Sequence, residues 1–174
     1  MNNARKRMIF DATVWTVSVL TALVLVAHDA IAESKMFTAT HPKWKAECAS
    51  CHVAYPPQLL PAAAWRRIMS GLGKHFGTDA SLDAETAAEI GVFLEQNAAR
   101  GKRARTGGET LRITETAWFR HEHDEVPAAT WKRAGVKSAA NCTACHTAAD
   151  RGDFSERNIR FHADRRTSWE KRKY

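Results

Sequence analysis

Apolar side chains recur at helical spacing along the chain, and this pattern predicts a mainly α-helical protein. One stripe follows Pro61 and consists of Trp65, Ile68, Met69 and Leu72. A second stripe consists of Ala87, Ile90, Leu94 and Ala98. Spacings of three and four residues place each set on one helix face. The second helix should run from about residue 83 to residue 100 and stop at Gly101.

Weaker patterns predict the remaining elements. A short helix is expected over residues 43–52, before Pro56 and Pro57. Glycine-rich residues 71–77 should form a loop. Residues 111–116 alternate apolar and polar groups and predict a short extended segment. Residues 127–134 and 141–151 each predict a helix, the first opened by Pro127 and closed by Gly135, and the second ending at Gly152.

The segment 101–110 divides this pattern into two parts. Its first eight residues carry three glycines and three Lys or Arg side chains, with almost no apolar group. That composition predicts a linker between lobes at residues 33–100 and 111–159. Lobes of roughly 50–70 residues are near the lower limit for a self-sufficient apolar core, so each should need a further stabilising element.

The string Cys-X-X-Cys-His occurs twice, over residues 48–52 and 142–146, and the two copies use all four cysteines. On a helix, residues at i, i+3 and i+4 share one face. Two thiols can therefore bond the vinyl groups of a porphyrin while the histidine reaches its iron. The sequence predicts two covalently attached c-type haems, anchored by Cys48, Cys51, Cys142 and Cys145, with His52 and His146 as proximal ligands.

Cysteine pairs also have roles other than haem attachment. The pairs could form a dithiol redox site, a four-cysteine zinc cluster or disulfides. None of these requires a histidine directly after the second cysteine, and both copies have one. The motif therefore favours haem, which would also supply much of the core of each lobe.

The first 32 residues have the layout of a secretory signal. Basic residues 5–7 precede the mostly apolar stretch 9–27, and Ala30-Ile31-Ala32 forms a small-X-small cleavage site. An exported, periplasmic protein is expected, although the stretch 9–27 could instead be retained as a membrane anchor. The residues from 33 onward keep a net charge of +6, since residues 1–32 carry three basic and two acidic groups. No aromatic and basic interleaving indicates nucleic-acid binding.

The sixth ligand of each iron decides what the iron can do. A filled axial face favours electron transfer, and an open face permits ligand binding or peroxide chemistry. For the first haem, His75 is the best candidate because glycines flank it in a flexible loop. Met69 belongs to an apolar stripe, and His41 is too close to Cys48. The second haem has no local methionine, and its candidates are His121, His123 and His162.

Segments away from the motifs resemble the dihaem cytochrome c family called DHC. The resemblance covers roughly residues 40–160 and is carried by residues 75–83, 112–116, 119, 123–126, 141–146 and 152–156. It implies a two-domain periplasmic electron carrier with bis-histidine haems, whose first domain is similar to class I cytochrome c. The family's Phe-X-X-X-His segment maps to Phe119 and His123, so the resemblance implies His123 as the second distal ligand. The Val126-Pro127 turn would hold His123 in place.

The resemblance also implies partners. Family members are associated with a monohaem, oxygen-binding cytochrome and with membrane cytochromes b. This chain departs from the family after about Ile159, where a basic tail, residues 160–174, replaces the usual short apolar ending. The tail is a solvated segment or a docking surface for an acidic partner or anionic lipid.

The sequence therefore predicts a periplasmic dihaem c-type cytochrome that carries single electrons between a membrane cytochrome and a soluble haem protein. An enzyme of the peroxidase or nitrogen-oxide reductase type is one alternative, and it would need a vacant axial site and a substrate pocket. A gas-binding sensor with one five-coordinate haem is another. The supply of histidines in this short chain favours the carrier.

Overall fold

The computed structural model describes residues 36–106 and 109–160. Within these ranges the chain forms five α-helices: α1 (Pro42–Cys48), α2 (Ala62–Ser70), α3 (Ala84–Gln96), α4 (Gly101–Thr106) and α5 (Ala117–Glu122). Single turns of 3-10 helix lie at Pro57–Leu59, Leu72–Lys74, Ile113–Glu115, Ala128–Lys132, Cys142–Ala144, Ala149–Arg151 and Glu156–Asn158. Strand pairing over the described residues is limited to isolated bridges. The prediction of a mainly helical fold is confirmed.

Helix α3 packs against both α1 and α2, and the three helices form the main apolar core. The predicted stripes supply Trp65, Ile68, Ile90 and Leu94, all of which are buried, while Met69 packs against the edge of this core. The other buried members of the cluster are Trp44, Ala54, Leu60, Ala64, Phe93 and Ala98. The Trp65 indole donates a 2.7 Å hydrogen bond to the carbonyl of Pro57, which satisfies its polar atom inside the core.

The ends of α3 follow from side-chain capping. Asp83 is the N-cap and its carboxylate accepts a 2.9 Å hydrogen bond from the Thr86 amide. That hydrogen bond lowers the pKa of the Asp83 carboxyl. At the other end, the Asn97 side chain donates to the Phe93 carbonyl at 2.9 Å. This local hydrogen bond stops the helix at Gln96, four residues before the predicted end.

Helix α1 also stops early. It ends at Cys48, so the first motif is not one continuous helix as predicted, and residues 49–52 turn away from it. The Ser50 hydroxyl donates to the Glu47 carbonyl at 2.7 Å, a local hydrogen bond that competes with helix continuation. The cysteine and histidine that follow are therefore carried by a turn.

The second half of the chain departs furthest from the predictions. The segment 111–116, predicted to be extended, contains a 3-10 turn at Ile113–Glu115, and the Thr110 hydroxyl accepts a hydrogen bond from the Arg112 amide just before this turn. The helix predicted over 127–134 is a 3-10 helix at Ala128–Lys132. The helix predicted over 141–151 is replaced by two separate 3-10 turns.

Non-local hydrogen bonds explain the loss of the helix over 141–151. The Thr147 amide donates to the Asn158 carbonyl at 2.9 Å, and the Arg160 amide donates to the Cys145 carbonyl at 2.8 Å. These backbone groups are thus paired with the returning chain and not with their own helical turn. The C-terminal residues therefore fold back over the second motif.

Helix α4 occupies the first part of the predicted linker, so residues 101–106 are helical and not extended. The described residues belong to one compact unit, in which the Phe37 amide donates to the Gly152 carbonyl at 2.8 Å. The division into two lobes stays a prediction. None of the described helices is long and apolar enough to cross a membrane. Residues 1–32 and 161–174, including His162, lie outside the described residues.

Candidate haem sites

The imidazole of His52, in the first motif, lies opposite the imidazole of His75. The rings of His52 and His75 have centroids 6.2 Å apart and planes 29° apart. The loop predicted around His75 contains a 3-10 turn at Leu72–Lys74, then a tight turn in which Phe76 and Gly77 have positive φ angles of 50° and 99°. Glycine adopts such angles at little cost, so Gly77 allows the chain to present His75 to His52.

The imidazole of His146, in the second motif, lies opposite the imidazole of His123. The rings of His123 and His146 have centroids 6.1 Å apart, with planes 78° apart. His123 is the C-cap of α5, and the side chain of Thr116 caps the other end of that helix by accepting from the Phe119 amide at 3.1 Å. The Phe119 ring stacks on His123 at 4.0 Å and 19°. Phe119, Trp131 and His146, all buried or half-buried, surround this imidazole and leave it little freedom to rotate.

Backbone carbonyls fix the tautomer of one histidine in each pair. Nδ1 of His52 lies 2.8 Å from the Val53 carbonyl oxygen, and Nδ1 of His123 lies 2.9 Å from that of Phe119. Because a carbonyl only accepts hydrogen bonds, each Nδ1 must carry the proton. Nε2 of each ring then keeps its lone pair and is ready to bind a metal. Burial and then His52 lower the pKa of His75, which favours its neutral, ligating form.

The two ring separations fit a metal bound between the imidazoles. An imidazole nitrogen binds a transition metal at about 2.0 Å, and the ring centroid lies about 1 Å behind that nitrogen, so two imidazoles on one metal have centroids roughly 6 Å apart. Both measured separations meet this requirement. The residues present therefore fit a six-coordinate haem iron at each motif.

Three of the four cysteines are half-buried, and Cys51 is exposed. Burial raises the pKa of Cys48 and of Cys142 to about 11, and it also raises the pKa of Cys145. A dithiol redox site needs a lowered thiol pKa, so that alternative is disfavoured. A zinc site needs about four clustered ligands. Over the described residues, no group of three or more His, Cys, Asp or Glu side chains could hold a metal ion.

The other candidate ligands lie elsewhere. His121 is exposed and lines an open depression together with Gln96, Arg100 and Trp118. Nε2 of His41 lies 3.1 Å from a carboxylate oxygen of Glu89. Both histidines are thus turned to other surroundings, and His75 and His123 are the ones that face the motifs.

Sequence reasoning missed the aromatic side chains that surround these histidines. Tyr55 stacks on His52 at 4.6 Å and 22°, and its hydroxyl donates a 2.6 Å hydrogen bond to the Ala140 carbonyl. Burial, and to a smaller extent Cys142, raises the pKa of Tyr55 to about 12, so the hydroxyl stays protonated. Trp131 lies 5.9 Å from His123, and Phe154 lies 5.3 Å from His146. The proximity of Tyr55 and Trp131 to the motifs depends on the tertiary fold and has no sequence signature.

Two Cys-X-X-Cys-His motifs, each opposed by a second histidine on a mainly helical chain, define a dihaem c-type cytochrome. The model of the dihaem cytochrome c family, DHC, matches residues 44–154, and the chain belongs to this family. It therefore binds two c-type haems covalently, and it belongs to a family of electron-carrying cytochromes. None of the curated proteins with which the sequence was compared matches it significantly.

Solved structures of this family resemble the chain closely. A DHC purified from Rhodobacter sphaeroides is 45% identical with a TM-score of 0.58, over 66% of this chain and 97% of that one. A second structure of a dihaem cytochrome c from Rhodobacter sphaeroides is 41% identical with a TM-score of 0.61, over 68% and 99%. The dihaem cytochrome of type c from Shewanella baltica is 41% identical with a TM-score of 0.59, over 67% and 89%.

Proposed function

We propose that the protein is an exported electron carrier with bis-histidine ligation at both haems. The observation that carries this proposal is the equal spacing of two histidine pairs, 6.2 Å for His52 and His75 and 6.1 Å for His123 and His146. A histidine on each axial face leaves no coordination position for a substrate or a gas. Such a haem can exchange electrons but cannot readily bind a small molecule.

Each functional side chain then has one role. Cys48, Cys51, Cys142 and Cys145 hold the haems by thioether bonds, and His52 and His146 are the proximal ligands. His75 and His123 are the distal ligands. When bound, each haem supplies a reversible one-electron couple, and histidine on both faces gives a lower potential than histidine with methionine.

The surroundings of the histidines suit a carrier. The Val53 and Phe119 carbonyls hold His52 and His123 in the ligating tautomer, so little rearrangement is needed when the oxidation state changes. Aromatic rings pack around His123 and limit the access of water. An enzyme of the peroxidase or nitrogen-oxide reductase type would instead require a displaceable ligand and a distal acid or base.

The direction of electron flow and the compartment rest on the family resemblance and the N-terminal sequence. A membrane cytochrome b is the donor and a soluble monohaem, oxygen-binding cytochrome is the acceptor. Export is supported by the basic residues 5–7, the apolar stretch 9–27 and the small-X-small site at residues 30–32. The protein acts in the periplasm, either free after cleavage or held to the membrane through residues 9–27.

Carbon monoxide separates the carrier from its rivals. The reduced holoprotein is exposed to saturating carbon monoxide and its Soret absorption is followed. We expect no stoichiometric change, because both axial faces are filled. In a second experiment, the reduced protein is mixed with a ferric monohaem cytochrome in a stopped-flow instrument. We expect rapid oxidation of the dihaem protein. Stoichiometric carbon monoxide binding would overturn the proposal in favour of a sensor or an enzyme.

A further inference from the structure

One side chain, Tyr55, contacts both the first haem-binding motif and the segment just before the second. Its ring stacks on the His52 ring, with centroids 4.6 Å and planes 22° apart, and its hydroxyl donates to the carbonyl of Ala140 at 2.6 Å. Ala140 is 85 residues away in sequence and stands two residues before Cys142. Tyr55 therefore connects the ligand of one haem to the attachment segment of the other.

The backbone that follows the first motif holds Tyr55 rigidly. It precedes Pro56, and a residue before proline is restricted to extended conformations. Pro56 and Pro57 are both buried, and the carbonyl of Pro57 accepts the hydrogen bond from the Trp65 indole in the core. The tyrosine ring is thus anchored to the core of the first half while it stacks on His52.

Tyr55 also contacts the segment before the second motif directly. The Ala140 carbonyl accepts hydrogen bonds from the Tyr55 hydroxyl and from the Cys142 amide at 3.1 Å, and the Cys142 thiol lies 3.7 Å from the same oxygen. A carbonyl oxygen has two lone pairs and can satisfy both donors. The Tyr55 hydroxyl and the backbone that carries the Cys142 thiol therefore share one acceptor atom.

We propose that Tyr55 is a positioning residue that couples the two haem sites. It fixes the His52 ring plane relative to the second motif, and it provides a short path of one ring contact and one hydrogen bond between them. With both haems bound, the electron exchange that it assists would oxidise one iron and reduce the other by one electron each. Tyr55 itself gains and loses neither an electron nor a proton. The inference rests on the proposed function, since it assumes His52 as a ligand.

Two substitutions separate the parts of this contact. Tyr55→Phe keeps the ring on His52 and removes only the hydrogen bond to Ala140, while Tyr55→Leu removes both. Phe76→Leu is the matched control, because the Phe76 ring also contacts a candidate ligand, His75, at 4.8 Å. The Phe76 side chain cannot form a hydrogen bond, so this variant removes its ring contacts with His75 and with the Arg112 guanidinium, at 4.4 Å, and leaves the Tyr55 hydrogen bond in place.

The readout is intramolecular electron exchange between the haems in partly reduced holoprotein, measured from exchange broadening of the haem methyl resonances by NMR. We expect Tyr55→Phe to slow the exchange several-fold, Tyr55→Leu to slow it more, and Phe76→Leu to leave it unchanged. Wild-type exchange rates in Tyr55→Phe, with low-spin spectra retained, would overturn the inference. If Tyr55→Leu fails to take up haem, Tyr55→Phe alone decides. High-spin iron in the unmodified protein would instead refute the proposed function.

Discussion

At the scale of single residues, a hydrogen bond to a backbone carbonyl fixes the tautomer of a histidine and so prepares its other nitrogen to bind iron. The carbonyl of Phe119 holds the Nδ1 proton of His123, whereas the neighbouring His121 is exposed beside Trp118. The sequence offered both histidines at nearly equal distances from the second motif, and the resemblance to a family, together with the Val126-Pro127 turn, favoured His123. The helical backbone at α5 explains the difference, because two positions along a helix turn side chains about 200° apart.

His123→Ala should convert one haem to the high-spin state, since it removes the ring 6.1 Å from His146. High-spin iron should then account for half of the ferric iron in the protein. Absorption near the charge-transfer region and EPR both measure this fraction. His121→Ala is the matched control and should leave the spectrum unchanged. The reverse result would move the assignment to His121, and low-spin spectra in both variants would direct attention to His162.

At the scale of elements, the sequence predicted the first half of the chain better than the second. Helices α2 and α3 carry continuous apolar stripes, and their packing obeys the same periodicity that the sequence shows. The second half lacks such stripes, and its 3-10 turns are set by hydrogen bonds between distant residues, such as that from Arg160 to Cys145. Pairing of this kind cannot be read from local spacing.

Gly152 holds the turn that brings the N-terminal segment onto the second motif. Its φ angle is +77°, and a Cβ at this position would overlap the carbonyl of Phe37. Gly152→Ala should therefore lower the free energy of unfolding by about 2 kcal/mol or more, from the left-handed backbone and the overlap together. Denaturant titration of the holoprotein, monitored by circular dichroism, measures this change.

Gly91→Ala provides the control for Gly152→Ala. Gly91 lies within α3, and a Cβ there would meet nothing within 4 Å. Alanine favours a helix over glycine by about 0.5–1 kcal/mol, so this variant should be more stable than the wild type. Equal effects of the two substitutions would contradict the assigned role of Gly152.

At the scale of the whole molecule, the apolar core is unevenly distributed. The main cluster joins α1, α2 and α3, and Leu111 and Ile113 pack against its edge. Among described residues from 111 onward, the buried hydrophobic side chains are Phe119, Val136, Ala148 and Ala149. Such a small set cannot offset the conformational entropy of about fifty residues. The second half must therefore depend on its haem for stability.

Replacing both Cys142 and Cys145 with Ala should leave residues 111–159 unfolded while the first half stays folded. Amide signals in a two-dimensional NMR spectrum would show this as loss of dispersion for the second half only. Cys142→Ala alone keeps one thioether and His146, and should retain the fold. Native dispersion over residues 111–159 in the double variant would show that the polypeptide folds there without the haem.

The central claim, that histidines fill both axial faces of both irons, is tested most directly by a low-temperature EPR spectrum of the ferric holoprotein. Two low-spin signals should account for two irons per chain, with different anisotropy, because the ligand planes are 29° apart at one site and 78° apart at the other. A high-spin signal that integrates to one iron per chain would contradict the account.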